Sequence, residues 1–176
     1  MSNLANAIAL ASTAHINDVD KGGNPYILHP LRILFKLMQK TNDQHTLILG
    51  VLHDVIEDTY VTIDDLIKQG YSKEVTDDLQ LMTKIKGEDY EGSYIPRIAR
   101  SYRCILVKLE DLTHNSDIRR QHIMEDLING KLDPVKQKEQ EDNNAKRMAK
   151  YHRSYVFLLQ KKAAYESSVF SNIAKG

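Results

Sequence analysis

The sequence is short of several things. It has one cysteine, Cys104, in 176 residues, which excludes an internal disulfide and fits a reducing compartment. Cys104 lies in an apolar run and reads as a small buried hydrophobe. No apolar run approaches the ~18 residues of a membrane span. Basic and acidic residues are both 24, so the formal net charge is zero, and no global field draws the chain to nucleic acid or an anionic membrane. The alanine-rich start, Leu4 to Ala14, lacks the positively charged opening of a signal peptide and is interrupted by Asn6, Ser12 and Thr13. A short amphipathic helix and a cytoplasmic protein are therefore expected. No alternating strand pattern, internal repeat or low-complexity segment is present.

What remains is ordinary globular material: 41% apolar and 27% charged residues, enough for one domain over 1–176 with a core that needs no staples. Helical spacing dominates, and the fold class expected is all-α, a bundle of about eight to ten helices. Helices are predicted from Leu4, from Pro30 with Leu31, Leu34, Phe35 and Met38 as its buried face, and from about Asp43 to Glu57. Others follow from Thr62, an N-cap with Asp65 three residues on, from Ser72 to Met82, Tyr94 to Ser101, Ile105 to Arg119, Gln121 to Asn129, and about Ala145 to Tyr165. The stretch Lys84 to Gly92 reads as a loop. So does 131–144, polar and carrying Pro134, which has too little apolar surface to offset ordering entropy and is expected to be mobile.

The third of these helices carries the chemistry. With ~100° per residue and His53 at zero, Glu57 falls near ~40°, Asp54 near ~100° and Asp58 near ~140°. Val51, Val55, Ile48 and Ile56 take the opposite side. Gly50 falls within the polar face, where a missing side chain lets a backbone or ligand approach. A charged helix face ordinarily meets water. Here, however, three carboxylates lie within five residues and repel one another unless a cation sits among them. Imidazole and carboxylate together suit Mn, Fe, Co or Zn, and without thiolates they do not suit a structural zinc.

Two other places could complete such a site. His29 is pinned between a turn and a helix start, in Pro25-Tyr26-Ile27-Leu28-His29-Pro30. Asp111 sits in a helix that is apolar on most sides, so it should be buried and needs a partner. Lys108 could be that partner without any metal.

These residues, in this order, form the H…HD…D pattern of HD-domain phosphohydrolases. Leu52-His53-Asp54-Val55-Ile56-Glu57-Asp58-Thr59 resembles the LLHDxxEDT signature of RelA/SpoT-type (p)ppGpp hydrolases. Pro25-Tyr26-Ile27-Leu28-His29-Pro30 resembles their PYxxHP, and Val107-Lys108-Leu109-Glu110-Asp111 with Asn115 their VKLADxxxN. The chain leaves no room for a synthetase domain, so the resemblance is to small alarmone hydrolases.

The resemblance implies that His29, His53, Asp54 and Asp111 hold one divalent metal, usually Mn²⁺. It implies that Glu57 and Asp58 are the catalytic carboxylates and that the reaction releases pyrophosphate from the 3′ position of a guanosine alarmone. Lys21, Asn115, Arg147 and Tyr151 match substrate-contact positions. Asp20 stands where the family has an arginine that contacts guanine, reversing the charge. An adenine alarmone or the 2′-phosphate of NADPH is thus a second substrate class, and a non-catalytic nucleotide sensor or partner-binding module a third reading. His15 is expected to be structural. The partner expected is a small nucleotide, with no nucleic acid and no membrane.

Overall fold

Side-chain caps start most of the helices in the computed structural model, which describes residues 3–20, 23–117 and 134–173. Asn3 accepts from the Asn6 N–H at the head of α1 (Leu4–Ala14). Asp43 does the same for α3 (Gln44–Leu52), Ser72 for α6 (Lys73–Met82) and Ser101 for α8 (Tyr102–Asn115). Thr62 and Asp65 form the reciprocal capping box that opens α5 (Ile63–Lys68). Each cap satisfies an N–H that the first helical turn leaves without an intrahelical partner. The remaining helices are α2 (Leu28–Leu37), α4 (Val55–Asp58), α7 (Ile95–Ile98) and α9 (Pro134–Ile173). A π-helical turn, Tyr90–Tyr94, precedes α7. The only pairing of extended backbone among the described residues is one isolated bridge, Val19 with Pro25. The fold is all-α.

α8 is the centre, packed against α2, α3, α6, α7 and α9, while α2 and α1 also pack on α3. Leu37, Leu49, Leu52, Ile105, Leu112 and Leu158 are fully buried in this core. Cys104 is buried, as its apolar surroundings imply. No described helix is long and apolar enough to cross a membrane.

The structure differs from the sequence reading in five places. The helix expected over Asp43 to Glu57 is broken: α3 stops at Leu52 and α4 restarts at Val55. The His53 ring nitrogen Nδ1 lies 3.0 Å from the Gly50 carbonyl, the oxygen that the residue 54 N–H would use in an unbroken helix. Second, α2 is rotated from its expected face. It buries Ile33, Leu34 and Leu37, whereas Phe35 and Met38 are 59% and 52% exposed. Third, the expected loop ends early, because Tyr90 to Gly92 already belong to the π-helical turn.

Fourth, Gly50 is buried and meets side chains of α2 rather than another backbone. An added Cβ would run into Leu37 Cδ1 and lie 3.6 Å from Ile33 Cγ2, so this glycine lets α2 pack closely on α3. Fifth, residues 134–144 are not a loop but the first turns of α9. Pro134 needs no N–H at a helix start, the lysines, glutamates and glutamines that follow are good helix formers, and the helix propagates from its packed part. The helix expected at Gln121 to Asn129 and residues 131–133 lie outside the described residues.

Gly50→Ala should therefore destabilise the fold by about 1–3 kcal/mol, the range for overpacking a tight core. The urea midpoint should fall with an unchanged slope; an unchanged midpoint would contradict the packing argument.

Candidate metal centre and active site

Four side chains from three parts of the chain converge at the inner end of α8. His29 comes from the first turn of α2, His53 and Asp54 from the break between α3 and α4, and Asp111 from α8. All but Asp54 are at most 4% exposed. His29 Nε2 lies 3.4 Å from Asp54 Oδ2 and 3.3 Å from Asp111 Oδ1. His53 Nε2 lies 3.0 Å from Asp54 Oδ2 and 3.8 Å from Asp111 Oδ1. One ligand atom each from His29, His53 and Asp54 fits within 4.8 Å.

The donor chemistry fits a divalent cation. Gly50 O can only accept, so His53 Nδ1 carries the hydrogen in that contact and Nε2 presents a lone pair. That Nε2 is buried and makes no well-formed hydrogen bond. A lone pair aimed at a carboxylate is repulsive, and a proton or a cation between them removes the repulsion.

The electrostatics carry the same signature. Burial opposes a charge on His53, yet Asp54 and Asp111 push it up to about 10. Burial likewise favours neutral carboxyls, yet His53 and His29 hold Asp54 far below the usual carboxylate range, and Lys108 with the two histidines does so for Asp111. Two ionised carboxylates thus draw positive charge into a buried site.

Asp111 is divided between two partners. Lys108 Nζ lies 2.8 Å from Oδ2 and 3.4 Å from the Tyr94 hydroxyl. Asn115 Nδ2 donates to Oδ1 at 2.5 Å. The lysine neutralises the carboxylate from behind and leaves Oδ1 toward the histidines. The salt bridge expected from the sequence and the convergence on the histidines therefore coexist.

Glu57 and Asp58 follow one turn beyond and are exposed. Glu57 Oε2 accepts from the Lys84 N–H at 2.9 Å. That backbone is fixed by Arg97, which donates to the carbonyls of Gln80, Leu81 and Thr83 and pairs with Glu88. Although Asp58 is exposed as a residue, partial burial of its carboxyl, together with Asp54 and Glu57 nearby, raises it above the ordinary carboxylate range.

Sequence reasoning missed Tyr26. Its hydroxyl donates to Asp54 Oδ2 at 2.6 Å and to Asp58 Oδ2 at 3.3 Å, joining a putting-together of two carboxylates that share one donor. Burial and Asp54 push its ionisation far upward, so it stays a donor. The signal was its place three residues before His29. His15 is buried: Nδ1 lies 2.8 Å from Asp18 and the ring packs 4.7 Å from that of Tyr26.

The expected substrate-contact residues are less concentrated. Asn115 is turned onto Asp111. Tyr151 packs beside Tyr90, ring centroids 6.3 Å apart, and Tyr90 feels Lys108 and Asp111. Arg147 donates to Asn144 within its own helix, at 2.8 Å. Lys21 lies outside the described residues. Asp20 Oδ1 accepts from the Asn24 N–H at 3.0 Å, which closes the turn leading to Tyr26.

Replacing Lys108 by methionine should remove the nearest cation from Asp111 and cost about 3–5 kcal/mol, the range for breaking a buried ion pair. Chemical denaturation at pH 7 reads it; a loss within experimental error would show that Lys108 does not neutralise Asp111.

No protein-family model matches the chain. Curated relatives do. The bifunctional (p)ppGpp synthase/hydrolase SpoT of Escherichia coli (strain K12) is 33% identical over 125 residues, covering 65% of this chain and 18% of that protein. The guanosine-3′,5′-bis(diphosphate) 3′-pyrophosphohydrolase of Aquifex aeolicus (strain VF5) is 35% identical over 116 residues, covering 62% and 16%. The chain thus spans less than a fifth of these relatives. A solved structure, described as a metazoan ortholog of SpoT that hydrolyzes ppGpp and plays a role in starvation responses, matches with a TM-score of 0.60. It is 20% identical, and the match covers 93% of each chain. In fold and in sequence, this chain resembles the HD-type hydrolase domain of RelA/SpoT proteins.

Proposed function

We propose that the chain is a metal-dependent hydrolase that releases pyrophosphate from the 3′ position of a guanosine alarmone, giving GDP or GTP. The observation that carries this is the convergence of His29, His53, Asp54 and Asp111 with the Glu57–Asp58 pair beside them. The similarity to named ppGpp 3′-pyrophosphohydrolases supports the same reading.

In this reading the four converging residues hold one divalent cation, with Mn²⁺ the ion assigned by the resemblance. A bound cation would make water nucleophilic near neutral pH and offset phosphate charge. The chain's own groups do the rest. Hydrolysis joins the water oxygen to the phosphorus attached to O3′ and breaks the P–O3′ bond. One proton leaves the water and one reaches O3′. Asp58, held above the ordinary carboxylate range by burial and by Asp54 and Glu57, takes the first proton. Glu57, fixed by the Lys84 N–H, orients the water. Tyr26 keeps the Asp54 and Asp58 carboxylates in register by donating to both. Lys21, Asn115, Arg147 and Tyr151 contact the nucleotide.

Asp20 favours a second reading. It stands at the arginine position and is a carboxylate, so it offers guanine or phosphate no cation of its own. An adenine alarmone or the 2′-phosphate of NADPH would then be the substrate.

The manganese-loaded protein should release pyrophosphate from ppGpp. Asp54→Ala should abolish turnover with the helical circular dichroism intact. Asp58→Asn should lower kcat by about 10²–10⁴-fold, the range for a lost general base. Pyrophosphate from ppApp alone, or phosphate from NADPH alone, would establish the second reading. Nucleotide binding by calorimetry without product from any of the three would point to a sensor. Wild-type turnover in Asp54→Ala would remove the site assignment.

A further inference from the structure

His29 does not end at the cluster. Its Nε2 faces Asp54 and Asp111, and its Nδ1 lies 2.6 Å from Nδ1 of His114. The two rings are nearly parallel, 16° apart, with centroids 4.8 Å apart. On the far side, Arg32 Nη1 lies 3.3 Å from His114 Nε2. Arg32 is three residues after His29 on α2, and His114 three residues after Asp111 on α8. Each outer residue therefore sits one helical turn from an inner one.

We infer that His114 is a positioning residue: with a cation bound at the cluster it accepts the Nδ1–H of His29 and so supports the tautomer in which His29 Nε2 faces that cation. The inference rests on the reading that His29, His53, Asp54 and Asp111 hold a divalent cation.

A neutral imidazole has one N–H and one lone pair. A lone pair on His29 Nε2 requires the hydrogen on Nδ1, and a buried N–H needs an acceptor. His114 Nδ1 is at hydrogen-bond distance to take it. His114 then carries its own hydrogen on Nε2. Arg32 pulls the other way, because a guanidinium only donates. Its donation to His114 Nε2 places the His114 hydrogen on Nδ1, toward His29, and moves the His29 hydrogen to Nε2, against the carboxylates. The chain Arg32–His114–His29 thus has two arrangements of equal net charge. A cation inside selects one and the guanidinium outside selects the other. His53 differs, because the fixed carbonyl of Gly50 holds its Nδ1–H.

Mn²⁺ titration calorimetry on the full chain tests this. His114→Phe keeps a ring but removes the acceptor, and should weaken Mn²⁺ binding about 10–100-fold, as lost outer partners of metal-binding histidines do. His114→Asn places an oxygen near the lost Nδ1 and should restore most of the affinity. Wild-type affinity in folded His114→Phe, or equal loss in both variants, would overturn the inference while leaving the metal reading intact. Absence of Mn²⁺ binding by the wild type would remove both. If His114→Phe fails to fold, ¹⁵N NMR of the Zn²⁺-loaded wild type decides: a hydrogen on His29 Nδ1 supports the inference, and coordination through Nδ1 overturns it.

Discussion

The structure turns on how a carboxylate survives in an apolar helix. Asp111 is buried at the centre of the bundle, where an unpaired charge would be untenable. Lys108, one turn earlier on the same helix, takes one oxygen, and the other faces the histidines. Lys108 is itself buried and held well above its ordinary ionisation range, against the cost of burial, by Asp111 and the Tyr94 and Tyr90 hydroxyls. The partition makes α8 both the core of the fold and the floor of the site. α2 and α3 pack on it and on each other, so the distance between His29 and His53 is a packing distance. Gly50 sets part of it by leaving room for Leu37.

Much of this was legible in the sequence because the signals are local. Thr62 with Asp65, and Ser72, mark helix starts through hydrogen bonds a few residues long. The cluster was legible for a related reason. His29 beside Pro30, and Asp111 within an apolar run, are each anomalous in their own surroundings. The hidden features depend on partners far along the chain. Tyr26 meets Asp54 across 28 positions and His114 meets His29 across 85.

The errors have the same origin. Phe35 and Met38 look like core by residue type, and only the position of α3 shows that Ile33 and Leu37 face inward. Residues 134–144 look like a loop because they bury little. Their helicity follows from continuity with the packed turns beyond, around Ser154 and Leu158, which are nearly or fully buried. The break at His53 and Asp54 is a case where a side chain displaces the backbone from its own carbonyl, which periodicity does not register.

α9 runs for 40 residues, about 60 Å at the usual helical rise. It is anchored by the buried Ser154 and Leu158, by the Arg153–Glu91 pair, by Tyr102 donating to Glu166 and by Tyr165 donating to the Arg100 carbonyl. Arg147, Tyr151, Ser154 and Leu158 follow one another at spacings of four, three and four, so they form one stripe. The residues that anchor the helix thereby also set the azimuth of Arg147 and Tyr151. Inserting or deleting a single residue between Tyr151 and Ser154 would turn that pair by about 100° while Ser154 and Leu158 stayed seated. The length of this short interval is therefore more constrained than its composition, and substitutions should be tolerated there where indels are not.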